Sequence, residues 1–244
     1  MNRILFDESE WRSGELLRLD GDRARHIREV LRAEAGDVLK LGRVNGPRMR
    51  GRVVAMSGGE VFLALEEEEG RPECPRVDLL LALPRPKVLK RLLPQIAALG
   101  VGRLYLTNAA RVERNYFDTH VLHADFLREA LLEGLVQAGD TLLPEVRVIR
   151  ELKPFLEDDV PELSLGMEKI LFHPRGAEDR GLREAAREER VLAAIGPEGG
   201  WVPFELDLFG AAGFRRVSLS ERILRSDTAV IGALALAGHW INGS

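Results

Sequence analysis

The 244-residue sequence predicts an α/β fold: a mostly parallel sheet flanked by helices, preceded by a small all-β barrel or sandwich. Three observations predict it. Short, partly alternating runs separated by glycine turns fill the first seventy residues. A continuous apolar run, Val77–Leu83, then opens a region where strand and helix patterns alternate to the end of the chain. The composition, 45% hydrophobic and 30% charged, is that of a folded chain and excludes a disordered one.

In the N-terminal part, Asp37–Arg43, Met49–Met56 and Val61–Glu66 read as strands, separated by Gly36, by Asn45, Gly46 and Pro47, and by Gly58 and Gly59. Asp22–Arg32 differs. Ile27, Val30 and Leu31 recur at helical spacing among arginines, which predicts a short basic helix capped at Asp20 or Asp22. The acidic run Glu66–Glu69, followed by Gly70, Arg71 and Pro72, reads as a linker. It sets the expected domains at residues 1–70 and 71–244.

Beyond the linker, Val77–Leu83 suits a buried parallel strand. Lys87–Leu99 follows as a helix, with a kink or restart expected at Pro94 and a stop at Gly100. Leu104–Thr107, Lys169–His173, Val191–Ile195 and Phe214–Leu219 read as strands. Asp125–Ala138, Arg183–Arg187, Pro203–Ala212 and Thr228–Ile241 read as helices. The last is apolar almost all round, which predicts deep burial or packing on another subunit.

Several classes are set aside. The lone Cys74 supplies neither a disulfide nor a cysteine metal site. His120 and His123 are three apart but lack a third ligand, so no metal is expected. The first residues show no signal pattern and no run is long enough to span a bilayer, so a cytoplasmic chain is expected. The net charge of −4 does not mark a nucleic-acid binder. Residues 1–52 nevertheless hold twelve Lys and Arg against nine Asp and Glu, and residues 53–79 hold two against seven. An excess of three in the first segment is small, so charge alone favours a solvated surface over a phosphate-binding face.

Three loops carry candidate chemistry, each at the carboxyl end of an expected strand, where open α/β sheets bind ligands. Gly196, Pro197, Glu198, Gly199 and Gly200 follow Val191–Ile195. The glycines allow sharp bending and close approach to a ligand. No Lys-Ser or Lys-Thr pair follows, and Gly-x-Gly-x-x-Gly is absent, so the turn is neither a Walker loop nor a dinucleotide fingerprint. A plain connection remains an equal reading. Ser220–Arg225 follows Phe214–Leu219 and brings Arg222 and Arg225 next to an apolar helix; a structural ion pair would also explain them. Leu171–Gly176 carries His173, readable as a base or as a hydrogen-bonded strand-end histidine.

Together, Ile195–Gly200 (IGPEGG) and Leu219–Ala229 (LSERILRSDTA) resemble the SPOUT-type RNA methyltransferases. They are most similar to the RsmE family, which methylates N3 of a uridine in 16S, small-subunit ribosomal RNA. His26–Arg32 with Gly36 and Asp37, Leu83–Val101 with Pro84, Lys87 and Lys90, and Phe172–Pro174 resemble further segments of that family in the same order. The resemblance implies an N-terminal PUA-like β-barrel and a SPOUT domain with a trefoil-knotted parallel sheet. It implies S-adenosyl-L-methionine as cofactor, a homodimer, and small-subunit ribosomal RNA or the assembled 30S subunit as partner, with no metal and no membrane.

By position, it implies a cofactor site formed by Leu171, Phe172, His173, Ile195, Gly196, Pro197, Glu198, Gly199, Gly200, Leu219, Ile223, Leu224, Arg225, Thr228 and Ala229. Uridine N3 must lose its proton or be polarised before attacking the methyl carbon, and a cation beside the uracil oxygens would favour that. Arg225 is the first catalytic candidate and Arg222 the second, with Glu198 and His173 open as bases. Arg23, Arg25, His26, Arg28 and Arg32 are the RNA-binding candidates. The chain departs from the family at Val136, Ala138 and Asp140, where an acid, a hydroxyl and an arginine are usual. Gln95 and Ala98 depart likewise. A non-catalytic RNA-binding relative, or the same chemistry on transfer RNA, are the alternatives.

Overall fold

The computed structural model describes residues 3–11, 14, 16–174 and 190–242. The expected helix Arg183–Arg187 lies outside the described residues. The chain divides into two compact units: Met1–Cys74 with Leu135–Leu143, and Pro75–Gly134 with Pro144–Ser244.

The first unit is built on a five-stranded sheet. Its strands are β1 (Ile4–Phe6), β2 (Leu17–Leu19), β3 (Val38–Arg43), β4 (Arg48–Ser57) and β5 (Glu60–Gly70), in the order β1-β3-β4-β5-β2. Register shifts along β4 and β5 curl the sheet around a core of Phe6, Leu17, Leu19, Ile27, Leu41, Val53, Val61 and Leu63. The acidic run is strand rather than linker. It extends β5 to Gly70, because the neighbouring strand offers arginines: Glu66 pairs with Arg52 at 2.6 Å, and Glu69 with Arg50 at 2.8 Å. Glu69 also takes Arg3, whose buried guanidinium donates to the carbonyls of Leu41, Met49 and Gly139. These two arginines hold the Glu69 carboxyl below the usual carboxylate range.

The expected basic helix begins as α1 (Gly21–Arg25), which buries Ala24, and continues as a π-helical turn, His26–Val30, which buries Ile27. Residues 135–143 join this unit, and two of the sequence departures have structural work here. The Val136 carbonyl accepts the Arg3 amide, and Asp140 pairs with Arg48 at 3.4 Å and accepts the amides of Thr141 and Leu142.

The second unit is a six-stranded parallel sheet. Its strands are β6 (Val77–Ala82), β7 (Val101–Thr107), β8 (Glu145–Ile149), β9 (Met167–Phe172), β10 (Arg190–Ile195) and β11 (Arg215–Val217), in the order β11-β9-β10-β6-β7-β8. All six residues of β6 are buried, as a central parallel strand requires. Its one charged residue, Asp78, is 1% exposed. It accepts the backbone and Nε hydrogens of Arg103 and an Nη hydrogen of Arg190, joining the amino ends of β6, β7 and β10.

Helix α2 (Pro86–Ala98) runs through Pro94 without restarting. Gly134 of α3 (Ala124–Ala138) approaches Pro94 so closely that a Cβ there would stand 2.0 Å from the Pro94 carbonyl oxygen. No acid occupies the first turn of α2, and Arg85 and Lys87 stand there instead. Cations at a helix amino terminus oppose its dipole by about 0.3–1 kcal/mol each.

The segments Leu152–Pro154 (α4) and Val160–Leu163 (α5) follow β8, joined by a π-helical turn. Helix α6 (Pro203–Ala211) precedes β11, and α7 (Ser226–Asn242) packs on β10, β6 and α2. The expectation for α7 resolves by face. Val230, Ala233, Leu234 and Ala237 are buried, while Thr228, Ile231, Ala235 and His239 form one exposed stripe.

Candidate active site

Strands β11, β9 and β10 are neighbours, so their carboxyl ends arrive together. Ile195 is in register with Phe172, and Phe172 with Val217. The His173 amide donates to the Val217 carbonyl at 2.9 Å, extending the β9–β11 pairing by one residue. The three strand ends read from the sequence therefore meet at one edge.

Between the ends of β9 and β11 lies a cavity of about 60 Å³. Phe172, His173, Pro174, Leu219, Ser220, Arg222, Leu224 and Ala229 contribute to its wall. The loop after β11 is shaped by its own serines: the Ser218 hydroxyl donates to the Ser220 carbonyl, and the Ser220 hydroxyl accepts the Arg222 amide. The next residues of this loop line a larger cavity of about 490 Å³. Arg85, Lys87 and Arg91 of the α2 amino end line it, with Glu198, Ile223, Leu224, Arg225 and Asp227. Leu224 lines both cavities. The two candidate arginines are thus separated, Arg222 on the small cavity and Arg225 on the large one.

The Gly196–Gly200 turn has a more specific geometry than its glycine content announced. Gly196 is required by Trp201, since a Cβ there would stand 2.9 Å from the indole nitrogen. That indole N–H is buried and has no hydrogen-bond partner among the described residues. Gly200 has a φ of +73°, in the left-handed region. Gly199 lies against Arg111, whose guanidinium donates to the Gly199 carbonyl. The turn contributes Glu198 to the large cavity and does not line the small one. Leu171 and Ile195 are buried at their strand ends, Ile223 is 77% exposed, and Thr228 is exposed and lines neither cavity.

Sequence reasoning missed three residues here. Glu205 is 5% exposed, and its carboxylate accepts the Ala110 amide at 2.7 Å and the Val202 amide at 2.9 Å. It therefore ties the loop after β7 to the turn after β10, and Arg111 ties them a second time. Arg85 is the third. It pairs with Glu198 at 3.3 Å, and its charge is further stabilised by hydrogen bonding to Tyr116, whose hydroxyl also donates to Glu113 at 3.0 Å. A helix-start pattern, Pro203 at the first position and Glu205 at the third, is the one signal that marks Glu205 in the sequence.

The arginines proposed for RNA lie in the first unit and differ in availability. Arg23 is committed to Glu10 through both carboxylate oxygens and to the Leu5 carbonyl, and that pairing raises its pKa further. Arg25 pairs with the exposed Asp22, and Arg28 reaches the Ala24 carbonyl at 3.4 Å. Arg32 is exposed, and His26 is half-buried.

The family described as RNA methyltransferase domain matches residues 72–238, which span the parallel sheet and both cavities. The sheet, the convergent strand ends and that match define a methyltransferase of the RNA-modifying class. Ribosomal RNA small subunit methyltransferase E of Treponema pallidum is 32% identical over 97% of this chain and 90% of its own length. The chain belongs to the ribosomal RNA small subunit methyltransferase E family. Two solved structures share the SPOUT-type fold. A Legionella pneumophila methyltransferase with bound S-adenosylmethionine is 24% identical, with a TM-score of 0.76 over 97% of both chains. The Neisseria gonorrhoeae ribosomal RNA small subunit methyltransferase E, also with S-adenosyl methionine, is 21% identical, with a TM-score of 0.77 over 97% of this chain and 96% of its own.

Proposed function

We propose that this chain methylates N3 of a uridine in 16S ribosomal RNA, using S-adenosyl-L-methionine. The observation that carries the reading is the pair of cavities lined by successive residues of one loop. One is small and mostly apolar, the other large and cationic, and Leu224 is common to both.

The small cavity fits part of the donor. Phe172, Pro174, Leu219, Leu224 and Ala229 offer a flat base apolar contact. Phe172, His173 and Ser218–Ser220 bring backbone polar groups to its wall, and the Trp201 indole N–H, without a partner among the described residues, lies beside Gly196. When bound, S-adenosylmethionine supplies a methyl group already activated by its sulfonium.

The protein's own residues position and polarise the nucleotide. Arg225 sits on the large cavity as the cation that favours a deprotonated uracil, and Arg222 stands behind it on the small one. Glu198, one of two carboxylates lining that cavity with Asp227, is the candidate to receive the N3 proton. The base reaches the cavity unpaired or flipped. Arg25, His26, Arg28 and Arg32 contact RNA phosphate from the first unit, while Arg23 shapes the fold.

The exposed α7 stripe of Thr228, Ile231, Ala235 and His239 is the homodimer contact, its small residues allowing close approach. No described helix is long and apolar enough to cross a membrane; a cytoplasmic location belongs with this reading.

Transfer of labelled methyl groups to naked ribosomal RNA, small subunits and transfer RNA tests the function, followed by mapping of the modified base. Label at N3 of one small-subunit uridine is the expected result. Label only in transfer RNA, or at another atom, would replace the substrate, and no label in any arm would favour a binding role.

A further inference from the structure

The large cavity is more cationic than an acidic chain would build for stability. Arg85, Lys87, Arg91 and Arg225 line it against Glu198 and Asp227, in a chain of net charge −4. Two of the four cations have carboxylate partners, each at 3.3 Å: the exposed Arg85 with Glu198, and the exposed Arg91 with the half-buried Asp227. Pairs of this kind are weak and exchange readily for a better anion. The Lys87 and Arg225 side chains have no ion pair or hydrogen bond among the described residues.

The placement is also unfavourable in itself. Lys87 stands in the first turn of α2, which holds no acid, so its charge faces the positive end of the helix. A helix selected only for stability would carry Asp or Glu there. An anionic ligand removes the conflict.

The chemistry narrows the ligand. A phosphodiester has one delocalised charge and several acceptor oxygens, which Lys and Arg can approach from different directions. Arg225 and the α2 cations line one cavity, so a nucleotide held there by its base at Arg225 shares that cavity with Lys87.

We propose that Lys87, with Arg85 and Arg91, forms a subsite for a phosphodiester of the RNA strand beside the target nucleotide. On binding, Arg85 exchanges the Glu198 carboxylate for that phosphate. This rests on the RNA methyltransferase reading above. It assigns phosphate contacts to the second unit, separate from the arginines of the first. The exchange also frees Glu198, the carboxylate proposed above to receive the N3 proton.

The test compares Lys87→Ala and the double variant Arg85→Ala/Lys87→Ala with the unaltered chain, using small-subunit ribosomal RNA over a range of salt. Lys87 is exposed, so its removal leaves the core intact. Lys87→Ala is expected to weaken RNA binding about fivefold near 0.1 M salt and to reduce the salt slope by about 0.7, the value for one single-strand phosphate. KM for RNA rises, while kcat and S-adenosylmethionine affinity hold. The melting temperature rises by about 1–2 °C, because an opposing charge leaves the helix end. A purely structural lysine would not give tighter folding with weaker binding. Unchanged affinity and slope in the double variant would overturn the subsite. If the unaltered chain methylates RNA and the variants bind as it does, the subsite alone falls. If it methylates nothing yet Lys87→Ala still weakens binding, the function reading falls and the subsite stands.

Discussion

At the amino ends of the parallel sheet, Asp78 is 1% exposed and held by Arg103 and Arg190. At the carboxyl ends, Arg225 and Lys87 line a cavity of about 490 Å³ with no carboxylate among the described residues committed to either. The two ends belong to the same strands and use the same residue types. One end buries its carboxylate and matches it with two arginines; the other leaves two cations open to water and to a ligand. Charge that is matched in the folded chain serves the fold, whereas unmatched charge beside a cavity is available to an incoming anion.

Four changes would break or sharpen this contrast. Asp78→Ala should have the largest effect, because it strands two arginines at a buried junction of three strands. A loss of about 3 kcal/mol is expected, at the lower end for a broken buried pair because both arginines reach solvent. Denaturant unfolding measures it, and a loss below about 1 kcal/mol would remove the contrast.

Arg225→Ala acts at the other end. Methyl transfer should fall about 100-fold while the folded chain keeps its melting temperature and its S-adenosylmethionine affinity by calorimetry. Normal turnover would take Arg225 out of catalysis and return attention to Arg222.

Glu205→Gln lies between the two roles. Its amide can accept only one of the Ala110 and Val202 hydrogens and turns a donor on the other, costing about 1–2 kcal/mol. S-adenosylmethionine binding should weaken severalfold with kcat little changed, because the turn is held less firmly. Stability loss with unaltered cofactor affinity would make Glu205 a packing residue only.

The smallest effect concerns the first unit. The Glu69 carboxyl is a stronger acid in the folded chain than its ordinary value of 4.5 because of Arg50 and Arg3. Its contribution is therefore complete above that pH and disappears as the pH falls through the lower folded value. Glu69→Gln should lower the melting temperature by a few degrees at pH 7, and the difference should shrink as the pH is lowered below the ordinary carboxylate value. An undiminished decrease at low pH would assign the effect to packing.

The sequence made some of these features legible and hid others for physical reasons. β6, β10, α3 and α7 announce themselves through continuous or periodic apolar residues. β1 and β2 are only three residues long, too short for a pattern to rise above their surroundings. The end of β5, Glu66–Gly70, reads as a linker because four acids in a row look solvated, and the arginines that neutralise two of them lie on the facing strand. At the site, the glycine turn and the SERILR loop were visible as local strings. Arg111 and Glu205 were not, since their partners lie 88 and 95 residues away. Only the fold brings those groups together. The assignment of Arg222 and Arg225 to different cavities likewise depends on which way a loop turns.

The double tie made by Glu205 and Arg111 has a kinetic consequence. The loop after β7 and the turn after β10 are distant in sequence, and each alone is a surface connection free to fray. One buried carboxylate and one guanidinium bind them to each other, so neither opens without releasing the same bonds. They open and close as a single cooperative element, on the timescale of that shared rupture rather than of either loop.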